Sequence, residues 1–253
     1  MRTVKFADDP ASIEPHPPLT DYYTDAGQRP AFVRGLFDEA ASSYDSVNRA
    51  FSLGSGAWYR RRALRRAGLA PAARLLDVAV GTGLVAREAV RILGDRGHVI
   101  GLDVSERMLA EARRYCDIAL VRGRAEQIPL ADCSIDFVSL GYALRHLAEL
   151  GAAFGELHRV LRPGGRLLLL EIGRPRSPLG RRLARLWFGG LAPALCRLAA
   201  PGSETRRLMR YFWDTVDQCV APEVILDQLA AAGFVELGCH TDLRLFRAYT
   251  GRK

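Results

Sequence analysis

Paired cysteines, clustered histidines and long apolar runs are what this chain lacks, and each absence removes a class of protein. The five cysteines (Cys116, Cys133, Cys196, Cys219 and Cys239) are odd in number, scattered and without a C-x-x-C pair. That argues against a disulfide framework and a cysteine zinc site, and it fits a reducing compartment such as the cytoplasm. The five histidines are equally dispersed, so no protein-bound metal is expected. No apolar h-region of a secretory signal stands near the N-terminus. The apolar run Leu186 to Leu195, between Arg185 and Arg197, falls well short of the ~20 residues needed to span a bilayer. No internal repeat or low-complexity block is visible. The expectation is a soluble chain of 253 residues, 49% hydrophobic, able to build one large α/β domain or one domain with a cap.

The most informative segment present is Arg74 to Ala86, a buried strand that breaks at Gly81, Thr82 and Gly83 and runs into a helix. The next strand, His98 to Asp103, ends on a carboxylate. This is the layout of a nucleoside-cofactor site: glycines let the backbone approach the ligand, and the acid grips a ribose diol. Gly81-Thr82-Gly83-Leu84-Val85-Ala86 also satisfies the dinucleotide pattern G-x-G-x-x-G/A, with Asp103 about 20 residues on. Asp77 separates the two readings. Near the strand end it would oppose a pyrophosphate, whereas it suits the ammonium and sulfonium of S-adenosyl-L-methionine. A methyl donor is therefore expected ahead of a nicotinamide cofactor, the alternative for Asp77 being a cap on the following turn.

Along the chain, residues 1–30 read as a loose tail with Asp8-Asp9-Pro10 and His16-Pro17-Pro18, and 31–70 as a helical cap. A cofactor-binding core follows over 71–173, with strands expected at 74–79, 98–103, 118–121, 135–141 and 166–172 and helices near 84–93, 105–115 and 146–161. Arg162-Pro163-Gly164-Gly165 should end the last of these helices. Residues 174–215 form a basic insertion, and 216–253 supply a helix at 222–232 and strands near 234–240 and 243–250. Together 31–253 make one domain of α/β class: a doubly wound, mostly parallel, seven-stranded sheet with its ligand crevice at the carboxyl ends of the strands.

Charge is concentrated in the insertion. Between Arg174 and Arg210 stand nine arginines and one acid, Glu204, which accounts for the whole net charge of +8. Leu179, Leu183, Leu186 and Trp187 recur at helical spacing, with Arg181, Arg182 and Arg185 between them. Three readings stay open: a helix packed on the core with a solvated arginine face, a helix docked on anionic lipid, or a nucleic-acid contact. A second cluster, Arg60, Arg61, Arg62, Arg65 and Arg66, would strengthen an anionic-surface reading.

Several segments together resemble the UbiE-type C-methyltransferases of ubiquinone and menaquinone biosynthesis. They are Phe37 to Asn48, the glycine loop, Ala125-Glu126-Gln127-Ile128-Pro129-Leu130, Leu144-Arg145-His146, and Arg159 to Gly165. The glycine loop and the Arg-Pro-Gly-Gly turn are shared by many class I, Rossmann-like methyltransferases; the Tyr44-Asp45-x-x-Asn48 segment with Leu144-Arg145 is more specific. The resemblance implies that the glycine loop with Thr82 meets the methionine part of S-adenosyl-L-methionine and that Asp103 holds the ribose. It also implies that Arg124 and Ala125 flank the adenine, that Gly141 closes the pocket near the sulfonium and that Tyr44 lies over the cofactor. Differences from the family pattern are Val80 and Leu84 in the glycine loop where the family has Gly and Asp, Gly56, Ala57 and Tyr59 where it has His, Arg and Trp, and Gly141, Tyr142 and His146 where it has Ser, Phe and Asn; they leave the cofactor expectation standing and bear on the identity of the acceptor.

Methylating a ring carbon needs an electron-rich ring, so a phenolic or quinol hydroxyl must lose its proton. His146 is the expected base and Arg145 the expected stabiliser of the phenolate, directly or through a water. The acceptor is then a prenylated quinol or another small aromatic or polyketide-like molecule. A nucleic-acid methyltransferase and a non-catalytic cofactor-fold protein are the remaining alternatives, and the oligomeric state is not legible.

Overall fold

Three helices precede the first strand: α1 (Arg29–Ala40), α2 (Tyr44–Ser52) and α3 (Gly56–Arg66). Strand and helix then alternate as β1 (Leu75–Val78), α4 (Leu84–Leu93), β2 (Val99–Asp103), α5 (Glu106–Tyr115), β3 (Ala119–Arg122), β4 (Ile135–Gly141), α6 (Leu150–Val160) and β5 (Leu161–Ile172). The chain continues with α7 (Pro178–Leu186), a π-helical turn (Trp187–Leu191), α8 (Ala192–Ala199), α9 (Ser203–Gln218), α10 (Pro222–Ala231), β6 (Val235–Asp242) and β7 (Phe246–Arg252). The computed structural model describes residues 13–175, 177–199 and 203–253.

The seven strands form one sheet in the order β3-β2-β1-β4-β5-β7-β6, parallel from β3 to β5 and antiparallel at β7 and β6. Alternation of side chains sends Leu75, Val99, Phe137 and Leu168 to the face covered by α3 and α4. Leu76, Val78, Val138 and Leu169 point to the other, under α6 and α10. Both faces being covered, β5 runs Leu167 to Leu170 without a polar break, and each buried leucine contributes about 1.5–3 kcal/mol.

Three expectations change. Arg162-Pro163-Gly164-Gly165 does not simply end a helix but bulges from the edge of β5, whose pairing with β4 starts at Leu161 and resumes at Arg166. The helix expected from 146 begins at Leu150, where the Glu149 carboxylate caps the free N–H groups of Gly151 (2.5 Å) and Ala152 (2.6 Å). Residues 13–28 of the expected loose tail are packed down. The Ile13 carbonyl accepts from Leu150 N (2.9 Å), Leu19 and Tyr23 are buried, and Glu14 pairs with buried Arg29 at 2.5 Å. Residues 1–12 lie outside the described residues.

The basic segment joins the N-terminal helices to form one cap. Leu19, Tyr23, Val33 and Leu36 pack on Leu208 and Tyr211 of α9, and Val47 of α2 packs on Ala192 and Cys196 of α8. In α7 the inward positions are small or late: Ala184 and then Phe188. The expected apolar stripe turns the other way, with Leu179, Leu183 and Leu186 exposed at 67%, 58% and 60% beside Arg181, Arg182 and Arg185. Arg176 and the side chains of Arg197 and Glu204 lie outside the described residues.

Candidate active site

A cavity of ≈ 150 Å³ lies where the carboxyl ends of β1, β2, β3 and β4 meet the cap. Its sheet side is built by Ala79 and Gly81 after β1, Asp103 to Ser105 after β2, Gly123 to Glu126 after β3, and Gly141 to Ala143 after β4. Val33, Phe37 and Tyr44 close it from the cap. Such a crevice is where doubly wound sheets hold nucleotides.

The Asp103 carboxylate accepts from Gly81 N at 2.8 Å and from Ser105 N at 2.9 Å, which fixes both loops around it. A carboxylate has about four acceptor positions, more than these backbone amides use, so acceptor capacity remains for a sugar hydroxyl. Burial raises its pKa, and the amides of Ser105, Gly81 and Val104 oppose that rise. Leu102, Val104, Met108 and Ala125 give the adjoining wall an apolar character suited to a flat base. The residues present therefore fit an adenosyl group.

The expected cofactor residues separate into two sets. Gly81, Asp103, Arg124, Ala125, Gly141 and Tyr44 line the cavity; Asp77, Thr82 and Gly83 do not. Thr82 turns its hydroxyl to Asp45 of α2 at 2.5 Å, and Asp45 also holds Arg87 at 2.6 Å, so the cap clamps the glycine loop. Gly83 stands at φ 85° as the N-cap of α4, where a Cβ would overlap Cys116 Sγ. Asp77 is not in direct contact with the cavity. It is 1% exposed, beneath the cavity rather than in its wall, and accepts from Ser139 Oγ at 2.7 Å and from the amide of Ala86 in the first turn of α4. Desolvation pushes its pKa up to about 7, against the pull of these hydrogen bonds. It braces the strand-to-helix turn, as a capping carboxylate does.

A second cavity of ≈ 180 Å³ adjoins the first through Phe37, Tyr44 and Tyr142, which line both. Its walls are mainly apolar, with Val47, Phe51, Trp58, Phe212 and Phe246 among them. Arg145 reaches it from a short 3-10 turn (Leu144–His146) but is not a free cation. It pairs with Glu171, donates to Thr215 Oγ1 (3.1 Å) and the Tyr142 carbonyl (3.0 Å), and lies over the Phe212 ring. His146 lines the cofactor cavity instead, its ring 5.5 Å from Tyr211 and 5.1 Å from Phe37. Neither imidazole nitrogen has a hydrogen-bond partner, and burial with the nearby Arg145 charge holds its pKa well below the usual 6.5. Burial raises the pKa of Tyr44 and of Tyr142, which keeps both phenols protonated.

Sequence reasoning missed Asp45, Met108, Phe37 and Arg60. The signal for Asp45 was present in Tyr44-Asp45-x-x-Asn48, two of whose members turn out to hold Thr82 and, through Asn48 Oδ1, Arg60 (2.9 Å).

The choice between cofactors is made by kinship. The ubiE/COQ5 methyltransferase family matches residues 24–241. The chain belongs to this family. It is an S-adenosylmethionine-dependent methyltransferase. A demethylmenaquinone methyltransferase of Chlorobaculum parvum is 34% identical over 207 residues, 80% of this chain and 84% of the relative. A ubiquinone/menaquinone biosynthesis C-methyltransferase UbiE of Hahella chejuensis is 31% identical over 213 residues, 81% and 84% of the two chains. Among solved structures, one from Thermotoga maritima, described as a SAM-dependent methyltransferase and possible histamine N-methyltransferase, superposes with a TM-score of 0.60 at 20% identity. It covers 87% of this chain and 99% of that one, and shows the shared fold.

Proposed function

We propose that this family member methylates a ring carbon of a prenylated quinol held in the apolar cavity. The observation that carries this reading is the shared wall: Phe37, Tyr44 and Tyr142 alone separate an apolar chamber from the adenosyl crevice. The names of the relatives point to the same chemistry. Bound S-adenosyl-L-methionine would supply an electrophilic methyl group at this wall.

The chain's own residues do the rest. The cap excludes water from both chambers. Tyr44 borders both chambers, Gly141 lies on the cofactor side, and His146, neutral and without a hydrogen-bond partner on that same side, is the candidate to take the proton of a ring hydroxyl that reaches past the shared wall. Arg145, neutralised by Glu171, orients the wall rather than carrying a free charge. Asp103, Arg124 and Ala125 hold the nucleoside, and Gly81 keeps its backbone close to it.

The same reading includes a peripheral contact with an anionic membrane. Leu179, Leu183 and Leu186 are exposed on α7 beside Arg181, Arg182 and Arg185, and exposed Trp58 and Leu243 line the apolar cavity. Apolar side chains among arginines suit a lipid interface better than a nucleic-acid groove, which needs stacking aromatics along a basic track. No helix among the described residues is long and apolar enough to cross a membrane.

The test is the purified protein with S-adenosyl-L-methionine and a short-prenyl demethylated quinone, with and without reductant, read by mass spectrometry. One added methyl in the reduced sample alone is expected. Cofactor binding without product would move the acceptor to another small aromatic. Flotation with phosphatidylglycerol vesicles checks the membrane contact, which Leu183→Glu should abolish.

A further inference from the structure

Arg60 is a buried charge without an ion-pair partner among the described residues. Its side chain belongs to α3, is 4% exposed, and lines the apolar cavity. Among the described residues no carboxylate lies within ion-pair distance of it. The acids that share the crevice on its other side are taken: Asp45 by Arg87 and Thr82, Glu88 by Arg61 and Arg91. Its polar contact is neutral, Asn48 Oδ1 at 2.9 Å, and its Nε has no partner. The guanidinium lies 5.5 Å from the centre of the Tyr142 ring, the residue that divides the two cavities. Tyr142 holds φ at 61°, a left-handed backbone state that an aromatic residue adopts only when its surroundings hold it there.

Burying a cation without a counter-charge costs several kcal/mol, and such a group keeps its place where a ligand supplies the missing anion. Space has been made for it: a Cβ at Gly56 would stand 2.7 Å from Arg60 Nη1. Resting on the acceptor reading of the apolar cavity, we propose that Arg60 binds the ionised ring oxygen of the acceptor, so that this enzyme selects aromatic substrates in their phenolate form. The guanidinium stabilises the anion, whose charge delocalises from the oxygen into the ring, so that the ring carbon beside it becomes electron-rich. Arg145 cannot serve equally, because Glu171 already answers its charge.

A chromogenic bicyclic phenol, 4-nitro-1-naphthol, tests this on the full chain, since phenol and phenolate absorb at different wavelengths. Bound to the wild type it should titrate at least one pH unit below the free dye, a tenfold or greater preference for the anion. Arg60→Met should abolish that displacement and Arg60→Lys should keep part of it. Gly56→Ala, which crowds the guanidinium, should shrink it and gives a second folded variant if Arg60→Met does not fold. A dye that does not bind, or that titrates bound as it does free, overturns the proposal, as does a displacement that survives in Arg60→Met. Calorimetry with S-adenosylhomocysteine on the same samples keeps the two readings apart. Nucleoside binding with an undisplaced dye refutes the Arg60 role alone, whereas a displaced dye without nucleoside binding supports it and refutes the methyltransferase site.

Discussion

Arg145 and Glu171 face each other as an ion pair with both side chains 2% exposed. Removing one member of such a pair strands a charge in the core, at a cost of about 3–5 kcal/mol. Glu171→Gln should therefore lower stability by that amount in urea unfolding. The double replacement by leucine and methionine should cost less than either single change. Equal, additive losses would mean that the two groups do not depend on each other.

Asp45 joins the cap to the glycine loop through Thr82 (2.5 Å) and Arg87 (2.6 Å). Asp45→Ala and Thr82→Val should each weaken S-adenosylhomocysteine binding about tenfold, since a hydrogen bond to a charged group contributes about 1.5–3 kcal/mol. Because both remove the Asp45–Thr82 contact, the double variant should bind little worse than Asp45→Ala alone. Strict additivity in calorimetry would dismiss the clamp.

Asp103 organises two loops and keeps acceptor positions free toward the cavity. Asp103→Ala should cost roughly 100-fold or more in S-adenosylhomocysteine affinity while leaving the fold intact by circular dichroism. Unchanged affinity would remove Asp103 from the nucleoside site.

Asp77 makes stability depend on pH with an unusual sign. Its folded pKa, about 7, lies above the ordinary carboxyl value, so between about pH 4 and 7 the folded state binds the extra proton. Stability should fall as pH rises through this window, by about 4 kcal/mol at most. Asp77→Asn, which cannot ionise and still accepts from Ser139, should raise the melting temperature at pH 8 and leave it near wild type at pH 5. A wild-type melting temperature that climbs in parallel with that of Asp77→Asn from pH 5 to 8 would contradict this.

His146 is neutral well below pH 6.5 because it is buried beside Arg145. The pH–rate profile should show no inflection from this imidazole between pH 6 and 8. His146→Phe, which keeps the ring packing on Tyr211, should slow methyl transfer about 100-fold if the imidazole is the base. Turnover at the wild-type rate would end that role.

Local pattern fixed much of this protein before any contact was known. The continuous apolar run Leu167 to Leu170, following a Pro-Gly-Gly turn, reads as a strand covered on both faces, and the helix at 84–93 was readable from its glycine start and its spacing. Asp103 was legible because a strand that ends on an acid points that acid into the crevice. The depth of Asp77 was not legible, because spacing gives the order of residues along the loop and not how far each lies below the surface. Only packing shows that its carboxyl turns under the loop to Ser139. The leucines of α7 carry the pattern of a buried stripe, yet they face outward because Ala184 and Phe188 fit the cap more closely. Arg60 was one of five clustered arginines, and nothing local distinguished it. That no described carboxylate forms an ion pair with it, and that Asn48 is its polar contact, is settled by neighbours in space and not by the local sequence.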